Sequence, residues 1–250
     1  MSTNPQQDLM PQKLVIIPTY NEIENIEKII RNIFSQPVDF DILIVDDFSP
    51  DGTWKLVQNL QKEFQDKLYL EVRNQKSGLG KAYLHGFKWA LERPYDFIFE
   101  MDADFSHNPN DLIRLYNACL KDNYDMTIGS RYITGVNVIN WPMKRVLLSW
   151  LASKYVKAIT RMEIEDTTAG FVCYRRNVLE AIDLNKIKFI GYAFQIEMKF
   201  KAIKKGFRLK EIPVIFTDRT KGKSKMSGGI IKEAVFGVIT LKLKSIFGKL

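Results

Sequence analysis

Five short β-rich runs, at residues 14–17, 41–45, 68–72, 97–99 and 126–128, are separated by segments whose apolar residues recur at helical spacing. Helical patterns fill residues 23–33, 54–64, 78–91 and 109–120, with Asn21 placed as the N-cap of the first. Alternation at this spacing folds as a mostly parallel α/β sheet with helices on both faces. Crossovers between parallel strands are right-handed, so the strand C-termini share one rim. Open sheets of this class bind ligands at that rim. The residues gathered there are Tyr20, Glu22, Asp46, Asp47, Asp102, Asp104 and Arg131.

The rim is most specific at residues 97–107. A buried-strand signal, Phe97-Ile98-Phe99, runs into Asp102-Ala103-Asp104. Side chains at i and i+2 of an extended segment point the same way, so two carboxylates leave the strand end together. Neighbouring like charges repel unless something positive sits between them. A hard divalent cation, Mg²⁺ or Mn²⁺, meets that need and usually keeps substrate phosphates among its other ligands. A loop with two solvated aspartates is the alternative reading of the motif alone.

Charge is divided unevenly. Residues 199–250 hold 14 of the 37 Lys and Arg but only three of the 29 Asp and Glu, a net +11 within a total of +8. The remainder is therefore slightly acidic. A basic end suits an anionic membrane surface or a phosphorylated substrate, and no nucleic-acid-binding motif is present. Two cysteines, Cys119 and Cys173, are too few for a disulfide framework. No apolar run approaches the ~20 residues of a membrane span, and residues 1–12 read as a disordered tail without signal-peptide character.

Two look-alike motifs fail. Gly78-Leu79-Gly80 is followed by Tyr83 where a dinucleotide fingerprint needs glycine, and Gly80-Lys81 by Ala82 where a phosphate loop needs Ser or Thr. Gly78 and Gly80 serve either close approach to a ligand or a plain helix entrance. Beyond Tyr132 come an uncharged loop with Asn140-Trp141-Pro142, a helix at 144–161, a strand ending at Tyr174, a helix at 193–205 carrying Glu197, and a strand at 209–216. The basic loop 218–225 is either a solvated charge run or a phosphate-closing segment. Residues 229–250 read as a basic amphipathic helix that lies in a membrane interface or packs on the protein's own core.

Together, Ile-Ile-Pro-Thr-Tyr-Asn-Glu (16–22), Ile-Val-Asp-Asp-Phe-Ser-Pro-Asp-Gly-Thr (44–53), Gly-Leu-Gly-Lys-Ala (78–82), Met-Asp-Ala-Asp-Phe-Ser-His (101–107), Gly-Ser-Arg-Tyr (129–132), Asn-Trp-Pro (140–142), Gly-Phe (170–171) and Arg-Thr-Lys-Gly-Lys-Ser-Lys (219–225) resemble the dolichol-phosphate mannose synthases, inverting enzymes of glycosyltransferase family 2. The resemblance implies a GT-A (Rossmann-like) domain over residues 13–228. It implies GDP-mannose as donor, a polyprenyl phosphate as acceptor, and work at the cytoplasmic face of a membrane, reached through the chain's own basic tail or an anchoring partner. Position by position it implies Pro18, Tyr20, Glu22, Val45 and Asp47 at the nucleoside, and Asp102, Ala103, Asp104 and Ser106 at metal and diphosphate. Arg131, Arg219 and Lys225 would contact phosphates. Asp104, Arg131, Arg219 and Lys225 would carry catalysis, the metal lying on Asp102, Asp104 and Ser106. Some relatives have Gln in place of Ser106. Asp166 and Glu197 are orienting or structural groups. Transfer of glucose or an N-acetylhexosamine from a UDP-sugar is the alternative within the class; a nucleotidyltransferase and a non-catalytic nucleotide-sugar sensor are the alternatives outside it.

Overall fold

The computed structural model describes residues 10–218 and 228–247. The first half follows the alternation: β1 (Lys13–Thr19), α1 (Ile26–Phe34), β2 (Asp41–Asp46), α2 (Thr53–Leu60), β3 (Leu68–Val72), α3 (Leu79–Leu91), β4 (Phe97–Glu100), α4 (Asp111–Leu120) and β5 (Met126–Ser130). The second half holds β6 (Val138–Ile139), α5 (Met143–Thr160), β7 (Val172–Arg175), α6 (Arg176–Ala181), α7 (Tyr192–Lys204), β8 (Leu209–Pro213), β9 (Phe216–Thr217) and α8 (Gly228–Ile246). Among the described residues, one seven-stranded sheet has the order β3-β2-β1-β4-β7-β5-β8, and β6 pairs with β9 beside it.

The sheet is covered on both faces. Leu14 and Ile16 of β1 pack with α3, α6, α7 and α8, while Val15 and Ile17 face α1, α2 and α4. Strands buried on both sides read as near-continuous apolar runs, as these do. In α1, Ile26, Ile29, Ile30 and Ile33 form a fully buried stripe.

Two local expectations change. Asn21 does not cap α1: it sits at a φ of 59°, and the helix starts at Ile26. Asparagine tolerates that left-handed turn because its short side chain bonds locally. Residues 209–216 are not one strand. β8 ends at Pro213, which pairs with Ser130, and Phe216 starts a separate pairing with Val138. Proline has no N–H to extend a ladder. Within the mostly parallel sheet, β7 runs antiparallel between β4 and β5. The 131–165 excursion leaves the rim after β5 and returns to it at Asp166, so the next strand can only run downward.

The glycines of 78–80 serve packing. The Gly80 N–H donates to the Ile190 carbonyl at 2.8 Å, and a Cβ at Gly80 would lie 3.0 Å from the carbonyl oxygens of both Phe189 and Ile190. Gly80→Val should therefore cost about 1–3 kcal/mol through overpacking. The melting temperature should fall by about 2–12 °C in a scanning-calorimetry comparison, and an unchanged value would refute this contact.

α8 packs one side on α7 and α5, with Val238 and Leu241 in the core, and leaves Phe236 and Phe247 about 70% exposed (68% and 71%). No helix among the described residues is long and apolar enough to cross a membrane.

Candidate active site

The chain leaves β4 at Glu100 and turns at Phe105, whose φ of 59° bends it back towards the sheet. Asp102, Asp104 and Ser106 face one cleft of about 380 Å³, while Ala103 is buried between the two acids. The Ser106 N–H donates to Asp104 Oδ1 at 3.1 Å, fixing the loop. The Asp102 N–H donates to Nδ1 of His107 at 3.1 Å, so the neutral ring carries its proton on Nε2. Burial pushes the His107 pKa down to about 4, and the ring stacks on Phe171 at 4.8 Å. His107 is thus a neutral prop for the acidic loop, a role its turn-like context in the sequence concealed.

The acids suit a hard cation in part. Among the described residues no group of three His, Cys, Asp or Glu side chains converges to hold a metal. Two carboxylates alone leave most positions of an octahedral ion to other oxygens, as Mg²⁺ sites on phosphate substrates do. The Ser106 hydroxyl is buried without a hydrogen-bond partner beside them, an oxygen donor available to such a shell.

Arg131 follows β5 onto the same cleft. Its Nε and Nη2 donate to Asp166 Oδ2 and Oδ1, each at 2.7 Å, its backbone N–H donates to Oδ2 at 2.9 Å, and Nη2 also reaches Thr168 Oγ1 at 2.9 Å. Burial pushes the Asp166 carboxyl upward, but the Arg131 charge and hydrogen bonds outweigh it and hold the carboxyl below its usual range. The guanidinium lies within 5.5 Å of the Tyr132, Trp141 and Phe216 rings. Bidentate pairing inside an aromatic frame fixes a planar cation in one orientation. Asp166 is therefore the positioning group for Arg131, and it reaches the rim because β7 runs downward from there.

The β6–β9 pair brings Trp141, Phe216 and Asp218 over this end of the cleft. Arg145 donates to Asp218 at 2.8 Å and stacks 4.0 Å from the Trp141 ring. The cleft is two-sided. Asp102, Asp104, Ser106 and Arg131 make its polar end, and Leu148, Leu151, Ala152, Tyr155 and Val156 of α5 with Val235 of α8 make an apolar wall.

The other residues assigned to the nucleoside sit at the ends of β1 and β2, outside the lining of that cleft. Pro18 pairs in register with Val45, whose side chain is wholly buried in the core. Lys76 Nζ lies 4.2 Å above the Tyr20 ring, and Glu22 accepts from Asn25 Nδ2 at 3.2 Å. Asp47 is bound by Arg73, whose Nε donates at 2.6 Å. Its neighbour Asp46 is buried and committed inward, accepting from Thr19 Oγ1 at 2.6 Å and from the N–H and hydroxyl of Ser49 at 2.7 Å. Asp46 is thus a structural acid despite its place at the rim.

Beneath the cleft lies a buried polar cluster. Glu100 accepts from Tyr174 Oη at 3.1 Å and from Gln195, and Lys199 donates to the Ala169 carbonyl at 2.6 Å. Burial pushes Glu100 up to about 7 and Lys199 down to about 8. Glu197 turns away from the chemistry: it accepts the N–H groups of Lys188 and Phe189 at 3.0 and 3.2 Å and pairs with Lys201 at 3.0 Å. Arg219 and Lys225 lie outside the described residues.

Comparison with known proteins follows the same outline. The family model for "Glycosyl transferase family 2" matches residues 14–183. The chain is 47% identical over 225 residues to the polyprenol monophosphomannose synthase of Mycolicibacterium smegmatis, covering 90% of this chain and 84% of that one. It is 44% identical over 225 residues to the undecaprenyl-phosphate mannosyltransferase of Micrococcus luteus, covering 90% and 91%. Among solved structures, the mannosyltransferase of Pyrobaculum calidifontis in complex with GDP-Man and Mn²⁺ matches with a TM-score of 0.59 at 16% identity, over 95% of this chain and 74% of that one. Glucosyl-3-phosphoglycerate synthase of Mycobacterium tuberculosis, with Mn²⁺, UDP and phosphoglyceric acid, matches with a TM-score of 0.66 at 16% identity, over 94% and 78%. At such identities the structural matches speak for the GT-A fold alone. On the family model and the two close relatives, this chain belongs to glycosyl transferase family 2.

Proposed function

We propose that this protein transfers mannose from GDP-mannose to a polyprenyl phosphate and inverts the anomeric carbon. The carrying observation is the two-sided cleft, which joins a charged end to a hydrocarbon-lined wall and so suits a phosphate with an apolar chain. The names of the close relatives support the same acceptor class and sugar.

In this reading the donor's nucleoside lies over the ends of β1 and β2, near Pro18, Tyr20, Glu22, Val45 and Asp47. Asp102 and Asp104, with Ser106, would hold Mg²⁺ or Mn²⁺ and the donor diphosphate. When bound there, a divalent cation supplies charge neutralisation to the leaving diphosphate. Arg131, held rigid by Asp166, presents a fixed positive charge where negative charge grows, and Arg219 and Lys225 add to it. An acceptor oxygen forms its bond to the anomeric carbon on the face opposite the bond to the diphosphate, which breaks. A phosphate monoester has its second pKa near ~6, so it is mostly dianionic at neutral pH and no strong general base is needed. Leu148, Leu151 and Val156 offer the acceptor's hydrocarbon chain an apolar wall at that end of the cleft. The exposed sides of α5 and α8 would lie against the cytoplasmic face of a membrane, so that the chain is peripheral there.

The test is a donor screen with radiolabelled sugar nucleotides and a short polyprenyl phosphate, the product being extracted into organic solvent. GDP-mannose should label the lipid, with GDP released and competing far better than UDP. Labelling from UDP-glucose alone would overturn the sugar assignment, and release of pyrophosphate would overturn the reaction class.

A further inference from the structure

Three successive backbone N–H groups after β1 are held by side chains of a different loop. The Asn21 N–H donates to Ser49 Oγ at 3.0 Å, the Glu22 N–H to Thr53 Oγ1 at 3.0 Å, and the Ile23 N–H to Asp51 Oδ2 at 3.1 Å. The acceptors lie in the turn after β2 and on the first residue of α2. Each hydroxyl is oriented in turn by a carboxylate. Ser49 Oγ donates to Asp46 Oδ2 at 2.7 Å, and Thr53 Oγ1 donates to Asp51 Oδ1 at 2.6 Å. A hydroxyl whose proton is committed to an anion turns its lone pairs towards the incoming N–H. Ser49 and Thr53 are themselves buried, which fixes both side chains.

Backbone strain sits at the same junction. Asn21 has a φ of 59° and Phe48, beside Ser49, a φ of 52°. Asparagine tolerates the left-handed region, but a bulky aromatic residue there is an outlier. The Phe48 ring is 57% exposed, so core packing does not impose the conformation. Strain of this kind persists only where the surroundings over-determine it, and it gathers at ligand clamps. The network also reaches the strand ends. Thr19 Oγ1 donates to Asp46, and the Thr19 carbonyl accepts the Asp47 N–H at 3.0 Å. The segment with Tyr20 and Glu22 is thereby tied to the segment with Asp47.

We infer that Ser49, Asp51 and Thr53 are positioning residues for the donor's nucleoside. They hold the 20–23 backbone, and with it Tyr20 and Glu22, at a fixed spacing from Asp47. The role rests on the nucleoside placement proposed above and deepens it, because it acts through the backbone of the binding loop. None of the three lines the cleft that holds Asp102 and Asp104. A nucleoside contact that is equal in the ground and transition states changes KM and leaves kcat alone. The three residues should therefore govern donor affinity and not the chemical step.

The test is Thr53→Val, which keeps the shape of a buried side chain and removes its hydroxyl. Ser49→Ala is the second, independent variant, and Thr53→Ser the conservative one. Binding of GDP and of UDP with Mn²⁺ is measured by calorimetry on the full chain. Extracted radiolabel gives kcat and the KM of donor and acceptor. Thr53→Val and Ser49→Ala should each weaken the nucleotide that the wild type prefers by about tenfold, and donor KM should rise in step. Saturated kcat and acceptor KM should stay at the wild-type values, and Thr53→Ser should restore tight binding. Unchanged nucleotide affinity in the folded variants, or a fall in kcat with donor KM unchanged, would overturn the positioning role. Thermal melts establish folding; if Thr53→Val melts early, Ser49→Ala and Thr53→Ser decide by the same measurements. A wild type that prefers UDP would correct the donor and not this role, which is then read on UDP. A wild type that binds neither nucleotide would overturn the nucleoside placement and this role with it.

Discussion

Asp104→Asn should lower sugar transfer by about a thousandfold or more while leaving the fold intact. The amide keeps the oxygen that accepts the Ser106 N–H, so the loop retains its hydrogen bond. On the proposed mechanism the change removes one of the two anionic groups that would hold a cation at the departing diphosphate, and losing electrostatic stabilisation of that kind costs about a hundredfold to a thousandfold or beyond. Radiolabel extracted into organic solvent gives the rate, and circular dichroism through a thermal melt gives the fold. Normal turnover in a folded Asp104→Asn protein would remove Asp104 from the metal site.

Asp166→Ala should have the largest effect on stability. It leaves the Arg131 guanidinium buried without its carboxylate and takes the Asp166 acceptor from three Arg131 nitrogens, of which Nη2 keeps its bond to Thr168. Breaking a buried pair from one side costs about 3–5 kcal/mol. For a chain of this size that is a fall of about 6–20 °C in melting temperature. Transfer should fall as well, because Arg131 loses its fixed orientation. The sign with pH follows from the depressed carboxyl. An acid whose folded pKa lies below its unfolded value contributes its full stability above the unfolded pKa, near ~3.9, and loses it as pH falls through the folded one. The stability gap between wild type and Asp166→Ala should therefore be flat from about pH 5 to 8 and shrink in stronger acid. Urea unfolding across that range measures it; a gap that grew in acid would contradict the pairing.

Much of this was legible in the residues because periodicity and burial share a cause. The β-rich runs of the first half became strands, buried on both faces except at the edge strand β3, and the acids after β4 came out on the rim, where strand order put them. What stayed hidden depends on contacts distant in sequence. Val172–Arg175 carries no mark of direction; only the return of the 131–165 excursion to the rim makes β7 antiparallel. For the same reason, nothing local paired Asp166 with Arg131. Asp46 and Asp47 are identical neighbours, yet pleating sends one into a network with Thr19 and Ser49 and the other to Arg73. Gly78-Leu79-Gly80 resembles a nucleotide loop, but the close approach it permits is to the 189–190 backbone. Of the two readings of the tail helix, packing on the protein's own core holds for Val238 and Leu241, while Phe236 and Phe247 stand outside it.

The central claim is that Asp102 and Asp104 hold a divalent cation together with the donor diphosphate. Anomalous diffraction from crystals grown with Mn²⁺ and GDP tests it most directly. One strong Mn²⁺ peak should lie between the two carboxylates and the GDP phosphates, within ligand distance of Ser106 Oγ or of a water it holds. Ordered GDP with no peak there, or with Mn²⁺ bound elsewhere on the chain, would contradict it.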